Sequence, residues 1–131
     1  MIALTPCYEI FGIIPKTLRM TSFKRGDIVL VKFIFTDEQG VKHRPGLIVS
    51  TDAYHSGRLE TILVAITSNI GRLLVGDYKI KSWRESGLLY PSIVTGIVRT
   101  IKQDMISRKL GALTVPELHA VESRLREILA L

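Results

Sequence analysis

Between Ile28 and Lys102 the apolar residues come in short, dense runs with the two-residue period of a strand, and the period becomes helical only after Thr114. In Ile28 to Phe35, Val29, Val31, Phe33 and Phe35 fall on one face and Ile28, Leu30 and Ile34 on the other, with Lys32 as the sole interruption. That density of β-branched and aromatic residues predicts a strand buried on at least part of both sides. Residues 36–43 form a polar connection with Gly40 as its turn residue. Gly46 to Ser50 predicts a second strand begun by Pro45, which needs no ladder donor at a strand start. Leu59 to Thr67 predicts a third strand, Leu74 to Ile80 a fourth and Ser92 to Arg99 a fifth, with Thr100-Ile101-Lys102 opening a sixth. Ser82 to Gly87 reads as a turn or a single helical turn.

The helical segment has a start signal. In Thr114-Val115-Pro116-Glu117 the Thr114 hydroxyl is spaced to accept the Glu117 amide while the Glu117 carboxylate reaches back, and Pro116 fits a first turn. Leu118, Val121, Leu125, Ile128 and Leu129 then form one apolar stripe, with Glu122, Arg124 and Glu127 opposite. Short strands followed by one helix, without βαβ alternation, predict a mainly β (α+β) fold: a small, strongly bent antiparallel barrel with a helix packed on it.

At 131 residues the chain is long enough for one domain with its own core. A single cysteine, Cys7, excludes a disulfide-built scaffold and fits a reducing, cytoplasmic setting. Ile2 to Ile14 is fairly apolar but broken by Pro6, Glu9 and Gly12, a poor signal peptide and too short to span a membrane. Residues 1–21 are therefore read as an N-terminal extension or a mis-called leader, and 22–131 as the barrel domain. Eighteen Lys and Arg against twelve Asp and Glu give a net charge of +6, which points to polyanionic partners, nucleic acid or an acidic protein segment.

Phosphate-cradling glycine loops, dinucleotide fingerprints and nucleophile elbows are missing from the sequence. The histidines His43, His55 and His119 have no second His or Cys at metal-ligand spacing, so no metal site is expected. Two local groupings remain. Lys42-His43-Arg44-Pro45 sets two bases and an imidazole where a polar loop enters a buried strand, and Thr67-Ser68-Asn69 sets two hydroxyls and an amide where the strongest strand leaves the core. Read without further context, Arg44 is equally a solvated charge at a strand end and Thr67 a residue that starts a turn.

Five segments, in one order, resemble MazF/PemK-type toxins. They are Phe23 to Asp37 with its Gly26-Asp27 opening, Lys42-His43-Arg44-Pro45-Gly46-Leu47-Ile48-Val49-Ser50, Val64-Ala65-Ile66-Thr67-Ser68, Gly87-Leu88-Leu89-Tyr90-Pro91-Ser92 and Lys109-Leu110-Gly111-Ala112-Leu113 with the helix after it. The likeness runs from Phe23 to Leu131. It implies an SH3-like barrel, a homodimer, and a metal-independent, cofactor-free endoribonuclease that cuts single-stranded RNA and is restrained by an acidic antitoxin, touching operator DNA only through that complex. It carries catalysis onto Arg44 and Thr67, with His43 and Glu38 as further catalytic candidates and Lys42, Ser68, Asn69, Ser92 and Arg99 as substrate-binding ones. Two departures stand out. The strand Ser92 to Val98 offers hydroxyls where many members carry an Arg or Asp, a role open to Arg99, and Gly46 replaces a more usual Ala.

The residue types suit the chemistry. Metal-free cleavage uses the ribose 2′-hydroxyl as nucleophile and leaves a 2′,3′-cyclic phosphate, so the site must stabilise a phosphorane and move protons. A guanidinium forks onto phosphate oxygens and is always charged, and a threonine hydroxyl can hold the same phosphate. Two alternatives use the same barrel: a toxin that binds DNA gyrase without catalysis, and a plain nucleic-acid-binding module. Neither needs the pairing of Arg44 with Thr67.

Overall fold

The computed structural model describes residues 23–34 and 40–131. Six strands form one antiparallel sheet: β1 (Asp27–Ile34), β2 (Val41–Ile48), β3 (Glu60–Thr67), β4 (Tyr78–Lys79), β5 (Ile93–Lys102) and β6 (Ile106–Ala112). A short helix α1 (Asp52–Ser56) joins β2 to β3, and α2 (Val115–Leu129) closes the chain. The strand order β4-β5-β3-β2-β1-β6 leaves β4 and β6 as edges, so the expected bent barrel is an open, curled sheet with the C-terminal helix upon it. The reading of residues 1–21 lies outside the described residues, as do Phe35 and Glu38.

Alternation in β1 divides the core in two. Ile28 pairs with Leu47, and this face continues through Val64, Ile66 and Val94 into the layer covered by Val121, Leu118 and Leu125 of α2. Val29, Val31, Ile48, Leu63 and Ile101 project to the other face and form a second cluster with Ile106, bordered by Phe23, Phe33 and Met105. Both faces of β1 are thus buried over most of its length, as the sequence predicts. The sheet must curl to bury the second face, and β1 shows register shifts against β6 and β3 against β5 that permit it.

Several boundaries differ from expectation. Pro45 does not begin β2 but lies within it, opposite Leu30 of β1. It is tolerated because β3 pairs with β2 only from Gly46 onward, so its missing amide faces an unpaired edge. The fourth strand shrinks to Tyr78–Lys79 because Leu74 to Asp77 is a turn, with Gly76 at φ +94 and the Asp77 carboxylate accepting the Leu74 amide at 2.9 Å. Thr100 to Lys102 extends β5 and opens no new strand; the true last strand, Ile106–Ala112, is mostly exposed, with Ser107-Arg108-Lys109 at its centre, and lacks an apolar run. Helix α1 was not foreseen; the Thr51 hydroxyl caps it by accepting the Tyr54 amide at 3.2 Å.

The predicted capping box at Thr114 does not form. Glu117 instead turns into the protein, where its carboxylate accepts from the Tyr78 hydroxyl at 2.8 Å, the Lys81 amide at 2.7 Å, the Ser82 amide at 3.2 Å and the Ser82 hydroxyl. Burial works to raise its pKa, but those donors outweigh it and hold the carboxyl below the usual value. The helix stripe ends one residue early: Ile128 seats on Gly76 and Gly96, where an added Cβ would meet it at 2.8 and 3.1 Å, and Leu129 is exposed. Two of the resembling segments prove to be the two sides of one crossing. A Cβ on Gly87 would lie 2.1 Å from the Leu110 carbonyl oxygen, and one on Gly111 2.1 Å from that of Ser86, so the turn before Gly87 and strand β6 touch backbone to backbone.

Candidate functional site

The β2–β3 ladder runs from Ile48–Leu63 through Leu47–Val64 to Gly46–Ala65 and stops there. Beyond that point the strands part. β2 carries Pro45, Arg44, His43 and Lys42 away paired with β1 alone, while β3 runs on through Ile66 to Thr67 paired with β5. Continuation of the register would set Arg44 against Thr67. Both lie on the face of the second core cluster: Arg44 is opposite Val31, and Thr67 follows Leu63 and Ala65 at a period of two. The sequence therefore brings a guanidinium and a hydroxyl to the two prongs of a fork.

Arg44 is exposed, and among the described residues its one hydrogen bond is a long 3.4 Å contact from Nη1 to the His43 carbonyl. Among the described residues no carboxylate pairs with it. Thr67 is half-buried at the end of β3, where its hydroxyl oxygen accepts the Asn69 amide at 3.1 Å. The O–H is left to donate outward. Asn69 Oδ1 accepts the Gly71 amide at 3.3 Å, so its oxygen shapes the turn and its amide nitrogen remains a donor. Ser68 is exposed beside it.

Lys42 lies opposite Phe33 on the same face as Arg44 and is exposed. The register sends His43 to the other face, opposite Lys32, so it does not stand with Arg44 and Thr67. Ser92 is a correction: it is buried, and its hydroxyl donates to the Tyr90 carbonyl at 2.7 Å, inside its own turn. The hydroxyl of Thr95 is likewise taken, donating to the Ala65 carbonyl at 2.7 Å. Arg99 does not stand beside Thr67, since β5 places it opposite Leu63 while Thr67 faces Ile93. Its guanidinium instead lies 5.0 Å from the centroid of the Phe33 ring. Sequence reasoning placed Phe33 in the core only; its alternation with Val31 was the signal that it shares the face of Arg44.

His55, the best-connected histidine, lies elsewhere. Its Nε2 is 2.6 Å from Ser50 Oγ and 3.0 Å from Thr61 Oγ1, and burial lowers its pKa against the opposing pull of Asp52. Those bonds tie α1 to β3 and are a structural use of the ring. No three His, Cys, Asp or Glu side chains gather as a metal site among the described residues. No described helix is long and apolar enough to cross a membrane.

Comparison with known proteins accounts for this architecture. Three solved structures superpose on it. The first, a mycobacterial endoribonuclease in complex with its cognate antitoxin, has TM-score 0.68 at 20% identity and covers 84% of this chain and 97% of that one. The toxin MazF-mt6 of Mycobacterium tuberculosis has TM-score 0.66 at 22% identity, covering 80% and 97%. A MazE-MazF complex from Deinococcus radiodurans has TM-score 0.65 at 17% identity, covering 82% and 95%. At such identities the likeness speaks for the fold. No curated protein sequence matches the chain. A family model for PemK-like, MazF-like toxins of type II toxin-antitoxin systems does match, over residues 24–129, and the chain belongs to that family.

Proposed function

We propose that this toxin is an endoribonuclease that cuts single-stranded RNA at the fork between β2 and β3. The observation that supports it best is the presence of Arg44 and Thr67 on the same face of two parting strands, with no carboxylate neutralising Arg44 among the described residues. Such an arrangement suits a phosphodiester seated between the prongs. Arg44 forks onto the non-bridging oxygens and gains strength as the phosphorane acquires charge, and the Thr67 hydroxyl fixes the phosphate by donating to it. The ribose 2′-oxygen attacks phosphorus, the 5′-oxygen leaves, and the product ends in a 2′,3′-cyclic phosphate. Attack must be in line with the leaving oxygen, a geometry that A-form duplex disfavours, which favours single strands. Lys42, Ser68, Asn69 and Arg99 bind the flanking chain. An acidic antitoxin segment that orders on the same face restrains the toxin, a role consistent with the antitoxin complexes solved for two of the similar proteins.

The test is incubation of the purified chain with a long single-stranded RNA in EDTA beside Arg44→Ala and Thr67→Ala. Discrete cuts ending in cyclic phosphate, lost in both variants, are expected. Intact RNA from folded protein overturns the proposal in favour of a binding-only toxin, and cleavage restored only by a divalent cation overturns its metal independence.

A further inference from the structure

β1 and β5 are separated in the sheet by β2 and β3, an interval of about 14 Å were the sheet flat. Yet the Arg99 guanidinium of β5 lies 5.0 Å from the ring centroid of Phe33 on β1. The face is therefore concave, and the stack spans its hollow. Phe33 is opposite Lys42 and diagonal to Arg44, so the stacked pair adjoins the basic prong of the fork. Phe33 is half-buried against the second core cluster, while Arg99 is exposed and has no carboxylate partner among the described residues.

We propose that Phe33 and Arg99 form a base-stacking subsite for a nucleotide next to the scissile phosphate, an inference that rests on the ribonuclease reading. A guanidinium stacked on a ring is a plane whose second face is open to another π system, and RNA bases splayed from single strands are held on arginine planes and aromatic rings. The ring beneath Arg99 removes much of the entropy that a free arginine would lose on stacking. A phosphate held by Arg44 leaves the adjoining base within reach of that plane, so Arg99 acts on the base and Arg44 on the backbone. Charge alone does not describe Arg99 in this reading; its flatness matters.

The proposal is tested with the full chain and a short single-stranded RNA cleaved at one site, in a series carrying one abasic ribonucleotide at each position around the cut. One abasic position is expected to raise KM roughly fivefold to a hundredfold, the range for loss of one stacked base. Arg99→Lys, which keeps the charge, is expected to reproduce that rise on the intact RNA with kcat little changed and to show no further penalty at the abasic position. Phe33→Leu should do the same, and the exposed Arg99→Lys keeps the test valid if Phe33→Leu does not fold. Rescue by lysine, or an abasic penalty that persists in Arg99→Lys, overturns the subsite and leaves the nuclease standing. If the wild type cuts nothing, the same series is read by binding. Coupling between Arg99 and one base then supports the subsite while the nuclease fails, and binding without coupling overturns the subsite.

Discussion

Arg44 and Thr67 come from segments that differ in nearly everything except the face they share. Arg44 sits on an exposed arm held by β1 alone, and Thr67 ends a strand whose hydroxyl is already turned by the Asn69 amide. Their contributions should therefore differ in kind. Arg44→Ala is expected to lower kcat roughly a hundredfold to a thousandfold, as removal of a donor aimed at developing charge does. Arg44→Lys should recover only part of this, since an ammonium keeps the charge but not the fork. Single-turnover cleavage measures both. His43 faces the other way, and His43→Ala should leave kcat and its pH dependence nearly intact. A large loss of kcat in that variant would instead make the imidazole the base for the 2′-hydroxyl.

At the scale of elements, the crossing of β6 with the turn before Gly87 and the seat of Glu117 do most to fix where the helix and the short strand β4 lie. Gly111→Ala sets a Cβ against the backbone oxygen of Ser86, with no flexible side chain to yield, and should cost about 3 kcal/mol or more in urea unfolding. Glu117→Gln replaces an acceptor that gathers four donors and should cost about 2–3 kcal/mol. Because hydrogen bonds hold the Glu117 carboxyl below its ordinary value of 4.5, its stabilisation is full above that value and is lost as pH falls through the lower folded one. Acid unfolding should thus be shallower in Glu117→Gln than in the wild type. At the other extreme, burial and then Glu117 push the Tyr78 hydroxyl up to about 12, so its contribution disappears as pH rises through that value. These features explain what the sequence could show. The alternation of β1, the continuous apolar run of β3 and the helix stripe were legible because each writes its burial into neighbouring residues. The largely exposed strand β6 was not, nor was the fate of Glu117, whose partners Tyr78, Lys81 and Ser82 are distant in the chain. Arg44 and Thr67 were legible only through resemblance, since a shared face across parting strands has no local signature.

Over the whole molecule, a net charge of +6 and a concave face carrying Lys42, Arg44 and Arg99 make RNA affinity salt-dependent. The logarithm of the binding constant should fall linearly with the logarithm of salt, and Arg44→Ala should lower the slope by about 0.7, one phosphate on a single strand. The same arm has a second consequence. From Val41 to Pro45, β2 presents an edge that no described strand covers, a template on which another extended chain could polymerise. Pro45 interrupts that edge by withholding an amide, and Lys42 and Arg44 repel a second copy of themselves. The cations that would grip a phosphate thus also act as gatekeepers of colloidal behaviour. Neutralising them should make the chain stickier as well as slower, visible as earlier elution and light scattering in gel filtration of Arg44→Ala at high concentration.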